Sequence, residues 1–360
     1  MFPAEPPPPQ IDRASLLEQS QRIRRRRALR GLFLAAVLLS TVASVWILSA
    51  GEIPTRSEWA FAATQVGELQ ARGLDGRGQV VCLVDTGIDE THPSLKDAPV
   101  LAWRDFVAGR ATPYDDDGHG TAMAGILAGR GPLRGVAPAA TLIVAKALDA
   151  QGVGSSASLA SAILFCADPN GDGDGSDGAT VISLSLAAAH PFPIGTDVAD
   201  AVASAVAKGI FVVASAGNDG VTDDGDVQSP ASIPDVIAVG AVDVFGAVAR
   251  FSSMGADAGR ADPDRKPEVV APGADVLSAS RGGTYRLVSG TSASAAFVSG
   301  TLALLLQDRP GLARSGGPAA IHLLKAALMQ TAKKEPAQAV PHDPRYGYGL
   351  VQAVDLDAAL

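Results

Sequence analysis

The chain has 360 residues, with 38 acidic against 29 basic side chains and a formal charge of −9. No basic stripe runs through its body, which excludes a broad nucleic-acid surface. Two cysteines are too few for a disulfide framework: Cys82 and Cys166 read as buried free thiols, with a single bridge in an oxidising compartment as the alternative.

Residues 1–30 form a Pro- and Arg-rich tail that ends in RIRRRRALR (22–30). Behind it, GLFLAAVLLSTVASVWILSA (31–50) carries no charge and has the length of a bilayer-crossing helix. Cationic flanks stay inside, so the tail is expected in the cytoplasm, residues 31–50 in membrane lipid as a single-pass anchor, and the remainder outside the cytoplasmic membrane. A cleaved signal peptide and a secreted product are the alternative. The apolar run exceeds the usual signal length, and Leu48 stands where a small residue is preferred for cleavage after Ala50. Residues 51–75 read as a connector and 76–360 as one domain.

Within that domain, near-continuous apolar runs of strand length recur at 79–87, 140–148, 179–186, 209–217 and 235–242. Such runs suit strands covered on both faces. Helical patterns at 120–129, 156–167 and 196–209 alternate with them, and two more follow at 292–307 and 318–332. The alternation predicts an α/β fold, a doubly wound and mostly parallel sheet with helices on both faces.

Ligands of such sheets sit at the carboxyl ends of the strands, where this chain places Asp85, Ser185 and Asn218. Asp85 ends a buried strand and needs a hydrogen-bonded partner. Among the five histidines, His92, His190, His322 and His342 lie in loops or a helix pattern, whereas His119 is wedged between glycines at a helix start, in DDDGHGTAMAGILAG. Asn218 in SAGNDG reads as a turn residue or an amide donor. In SGTSASAAFVSG (289–300), Ser292 reads as a helix cap or as a nucleophile at a helix N-terminus.

The order Asp85, His119, Asn218, Ser292 resembles the motifs of the subtilisin-like serine peptidases over roughly residues 60–360. Segments 135–148, 181–189, 236–243, 267–273 and 346–360 add to the likeness. The resemblance implies a serine endopeptidase acting on peptides or proteins. Ser292 is then the nucleophile, His119 the base, Asp85 its orienting acid and Asn218 an oxyanion donor. It further implies a substrate-binding set of Gly152, Val153, Gly154, Ser185, Leu186, Ala187, Ala216 and Gly217, and chemistry that needs no cofactor. A scaffold without activity and an acyl-enzyme transferase are the competing functions.

Several positions depart from the family. Ala293 and Phe297 replace the usual Met and His around the nucleophile, Ala122 and Met123 follow Thr121, and Ala187–Ala188 stand where the family carries two glycines. The stretch 51–79 is too short for the folding prodomain many members carry. Finally, DPNGDGDGSDG (168–178) begins like a calcium loop, so structural calcium is expected at Asp168, Asn170, Asp172, Asp174 and Asp177. Ala179 replaces the closing Glu, and a solvated acidic loop is the alternative.

Overall fold

Valine, isoleucine and alanine dominate the strand runs because a sheet with helices on both faces leaves no side chain a polar exit. The computed structural model describes residues 56–188, 195–222, 225–256, 259–336 and 338–360. The expected tail and anchor therefore lie outside the described residues, among which no helix is long and apolar enough to cross a membrane. The chain divides at Ile53/Pro54, and the second unit is the one described here.

In chain order its elements are α1 (Glu58–Ala63), α2 (Val66–Ala71), β1 (Val80–Asp85), β2 (Val100–Asp105), α3 (His119–Ala128), β3 (Thr141–Lys146) and α4 (Ser156–Ala167). Then come β4 (Val181–Leu184), α5 (Thr196–Ala207), β5 (Phe211–Ser215), β6 (Ile237–Val242), β7 (Val269–Pro272), β8 (Val276–Ser280) and β9 (Thr284–Val288). The helices α6 (Thr291–Asp308), α7 (Gly317–Thr331) and α8 (Ala353–Ala359) close the unit. Seven strands pair in the order β2-β3-β1-β4-β5-β6-β7, every neighbour parallel, while β8 and β9 form a separate antiparallel hairpin.

The α/β expectation holds, and all five anticipated strands are present with their ends trimmed to turns. β2, β7 and the β8–β9 hairpin were not anticipated as strands. β2 is a half-exposed edge with a bulge, and β7 is a four-residue run stopped by a proline.

α6 is the central helix. It packs against β4, β5, β6 and β7 on one side and α3 on another, and Thr291 to Leu306 are all buried. A helix buried all round has no polar face to show. Small residues let its neighbours approach: a Cβ on Gly300 would lie 2.7 Å from Val136 Cβ. Phe297 fills the space left by the smaller residues and meets Phe61 edge-on, with ring centroids 5.5 Å apart.

Two expectations need correction. The segment assigned as a connector is folded from residue 56 onward: α1 and α2 bury Ala60, Phe61, Val66 and Leu69 in the main core, and Gln352 binds the Ala63 carbonyl. Their apolar faces were too short to register as periodic segments. Cys82 and Cys166 are not free thiols but a disulfide. Residue 82 in β1 and residue 166 in the last turn of α4 lie with Cα atoms 5.6 Å apart, within bridging distance.

Candidate active site

The sheet reverses its strand order at β1: the chain leaves it toward β2 and β3 on one side, then returns to β4 on the other. Crevices of open α/β sheets form at such a switch, beyond the strand carboxyl ends. Asp85 is the last residue of β1 and Ser185 directly follows β4. The start of α6 arrives at the same place. Ser292 Oγ donates to the Ser185 carbonyl at 3.0 Å, and Ser185 Oγ donates back to the Ser292 carbonyl at 3.0 Å.

Asp85 is fully buried, and its Oδ1 lies 2.8 Å from His119 Nδ1 and accepts the Thr86 N–H at 2.7 Å. An ionised carboxylate only accepts, so Nδ1 carries the ring proton and Nε2 keeps a free lone pair. The ring is one-third exposed, at 33% of its side-chain surface. Burial disfavours the imidazolium, but the Asp85 charge and its hydrogen bond outweigh that, with Asp117 and Asp115 adding to them. The His119 pKa is therefore held above its ordinary 6.5.

A second carboxylate fixes the element that carries the histidine. Asp115 Oδ2 accepts Thr121 N–H at 2.9 Å and Thr121 Oγ1–H at 2.6 Å, while Oδ1 accepts Gly118 N–H at 2.8 Å and Thr86 Oγ1–H at 2.9 Å. Thr86 Oγ1 in turn accepts Gly120 N–H at 2.9 Å. These bonds tie the turn after β1 to the orphan N–H groups of α3. Burial would raise the Asp115 pKa, yet so many donors hold it below the usual carboxylate value.

Asn218 is oriented by Thr291, whose N–H donates to Oδ1 at 2.9 Å and whose Oγ1 lies 3.0 Å from the same oxygen. Fixing the oxygen there leaves Nδ2 as the amide's free donor end. Ser292 N–H, in the first turn of α6, has no intrahelical acceptor.

Two clefts meet at His119. The first, of about 700 Å³, runs between 152–156 and 185–188. The second, of about 330 Å³, is walled by Met123, Asn218, Ser292 and residues 286–290, which run from β9 to the start of α6. The structure thus gathers Asp85, His119, Asn218 and Ser292 at one point. Gly152, Val153, Gly154, Ser185, Leu186 and Ala187 line the first cleft. Ala216 and Gly217 line neither: Ala216 is buried with its N–H on Val239, and the Gly217 N–H and carbonyl hold Thr291. Sequence reading missed Asp115, Thr86 and Thr121, whose signal was only an acidic run beside the histidine.

The acidic loop expected to hold calcium folds around its own backbone. Asp168 accepts the Gly171 and Gly173 N–H groups at 2.8 Å, and Asn170, Asp172 and Asp174 each accept the N–H two residues on. Asp177 Oδ2 accepts Asn170 N–H, and Lys208 and Arg314 donate to loop carbonyls. Most of these oxygens accept from the loop's own backbone, while Asp172 Oδ2 accepts from the Asn170 side chain and Asp177 Oδ1 has no partner among the described residues; no three of the carboxylates bring oxygens within 4.8 Å of one another. The arrangement is that of a self-capped acidic loop.

Residues 76–349 match the subtilase family. The chain is 34% identical to subtilisin Savinase of Lederbergia lenta over 298 residues, 82% of this chain and 96% of that protein. It is 37% identical to subtilisin DY of Bacillus licheniformis over 254 residues, 69% and 84% respectively. A thermophilic serine proteinase of Bacillus sp. strain AK1 is 39% identical over 233 residues, 63% of this chain and 52% of the relative, so the match spans about half of that protein.

Whether the histidine meets the aspartate rests on one backbone approach. A Cβ on Gly120 would stand 2.1 Å from the Gly87 carbonyl oxygen and 2.9 Å from its nitrogen. Backbone cannot yield as a side chain does, so Gly120→Ala should lower the free energy of unfolding by about 1–3 kcal/mol, the usual cost of overpacking. Urea denaturation of both proteins measures it, and an unchanged midpoint would show that α3 can shift freely.

Proposed function

The chain belongs to the subtilase family and is a serine-type endopeptidase; from that premise we propose that Ser292 is its nucleophile, His119 its base, Asp85 the acid that orients the base and Asn218 an oxyanion donor. The observation that carries the assignment is the Asp85–His119 bond, which fixes the ring's tautomer in a wall shared with Ser292 and Asn218. The Ser292 hydroxyl turns from the Ser185 carbonyl to His119 Nε2, gives up its proton there, and Oγ bonds to the peptide carbonyl carbon. Charge that develops on the carbonyl oxygen meets Asn218 Nδ2 and the Ser292 N–H. As the tetrahedral species collapses, the C–N bond breaks and the imidazolium hands its proton to the departing amine. Water then repeats the sequence on the ester, with His119 taking its proton.

Action outside the cytoplasmic membrane, tethered through residues 31–50, is part of the proposal. The Cys82–Cys166 bridge supports the location outside the membrane, because disulfides persist in oxidising compartments.

Ser292→Ala and His119→Ala should each abolish labelling by a fluorophosphonate probe and cleavage of a mixed peptide library, while circular dichroism stays native. Cleavage that survives in Ser292→Ala would remove the assignment.

Because the base works only as neutral imidazole, kcat/KM should rise with pH through an apparent pKa above the ordinary histidine value of 6.5. Asp85→Asn removes the charge that raises it, so the limb should move to lower pH as the rate falls. A pH–rate profile of both enzymes decides; a limb that does not move would separate the aspartate from the base.

The first cleft bears on the residue accepted before the cut bond. Ala187 and Ala188 add methyl groups to its wall, and the Ala188 N–H is pinned to the Ser229 carbonyl at 2.8 Å. Overfilling by a large ring costs about 1–3 kcal/mol, roughly a 5- to 150-fold preference for Ala or Leu over Phe. Specificity constants of matched peptides measure it, and a preference for Phe would overturn the narrowed wall.

A further inference from the structure

The two clefts differ in charge. Among the described residues, and apart from the shared His119, the one charged side chain lining the first is Asp117 and the one lining the second is Arg286. Arg286 lies in β9, which pairs only with β8 and is exposed from Thr284 to Leu287. Other arginines nearby are spent on the protein: Arg281, for instance, donates to the Asp116 and Asp117 carbonyls. The Arg286 guanidinium has no hydrogen bond or ion pair among the described residues, and Arg286 lines the same cleft as Ser292 and Asn218.

Direction along the site follows from the catalytic reading above, on which this inference rests. The acyl half of a substrate lies along the 152–154 and 185–188 edges of the first cleft. The half that departs with the amine then occupies the second cleft, beyond His119 and Ser292. We propose that Arg286 selects peptides carrying a carboxylate at the first or second residue after the cut bond.

A guanidinium meets a carboxylate through two parallel N–H···O bonds, a geometry that an ammonium or an amide side chain of the substrate cannot supply. The cleft walls lower the local dielectric on one side, so the pair is worth more there than on an open surface. Asp117 acts in the opposite sense on the acyl side, where it repels acids. A cleft with an anion on one side of the cut and a cation on the other therefore reads the polarity of the substrate as well as its shape. The chain as a whole is acidic, with a formal charge of −9, so the preference has to come from this local cation and not from the overall field.

The test uses internally quenched peptides of one acyl-side sequence, with Glu, Gln or Lys at the first or the second leaving-side residue. The ratio of kcat/KM for Glu over Lys is taken within each enzyme, so any loss of folded fraction cancels. The wild-type ratio should be about 3- to 10-fold at one of the two positions at low ionic strength, the range for a partly screened ion pair, and should shrink in high salt. Arg286→Ala should bring it near unity and Arg286→Glu should invert it. Moving Glu or Lys to the acyl side should give a ratio that Arg286→Ala leaves unchanged. A wild-type ratio within twofold of unity at both positions overturns the proposal, as does a Glu preference that persists in Arg286→Ala. Failure of the wild type to cleave any of the peptides while still labelling with a fluorophosphonate would likewise count against this leaving-side reading. Failure to label at all would instead overturn the catalytic assignment.

Discussion

A carboxylate at the end of a buried strand is costly unless it is partnered, and Asp85 is such a group at the centre of the sheet. Its partner has to be brought to it. The Thr86–Gly87 turn, the Asp115 web and the start of α3 are arranged so that an imidazole nitrogen stands 2.8 Å away with its other nitrogen facing the cleft. One side of that histidine thus belongs to the interior, where it satisfies an acid. The other belongs to the solvent-filled clefts. The elevated pKa of the ring comes from the same contact that solves the burial problem.

The second half of the site depends on how close backbones can come. α6 reaches the switch point through the core, and its composition reflects the path: Gly, Ala, Ser and Thr wherever another element crosses. Hydroxyl groups along it turn back on carbonyls, as Ser294 does to Ala271 and Ser299 to Ala295, so no polar atom is stranded. At its mouth Thr291 anchors the amide of Asn218. The order in which the pieces are fixed runs from packing to hydrogen bonds to reactive groups.

The central part of this architecture was legible in the sequence because it is written in long apolar runs and in residues at strand ends. β1, β3, β4, β5 and β6 are hydrophobic on both faces and announce themselves, and Asp85, His119, Asn218 and Ser292 each sit at a break in such a run. What escaped was written in fewer residues or in partners far apart along the chain. The short helices α1 and α2 bury only a few side chains each. Asp115 carried no signal beyond its place in an acidic run, since nothing local reveals that Thr86 lies across from it. The acidic loop at 168–178 was legible only as two alternatives, because alternating Asp and Gly suit self-capped turns as well as ligand spacing. Ala216 and Gly217 lie next to Asn218 in the chain, yet their backbone groups are turned toward β6 and α6.

The bridge between Cys82 and Cys166 closes a ring with a sequence separation of 84, and both Asp85 and His119 lie inside it. A proteolytic enzyme lives among molecules that cut its own exposed loops. A single nick anywhere between the two cysteines, for example in the exposed turn around residues 108–112 or the glycine-rich stretch at 151–154, opens the ring without releasing a fragment. The severed ends stay covalently tethered through the strand that carries the acid and the helix beside the cleft, so dissociation of the pieces becomes local fraying. In topological terms the acid–base pair is carried on a closed loop, which makes its integrity less sensitive to chain scission than that of the nucleophile, whose helix lies outside the ring.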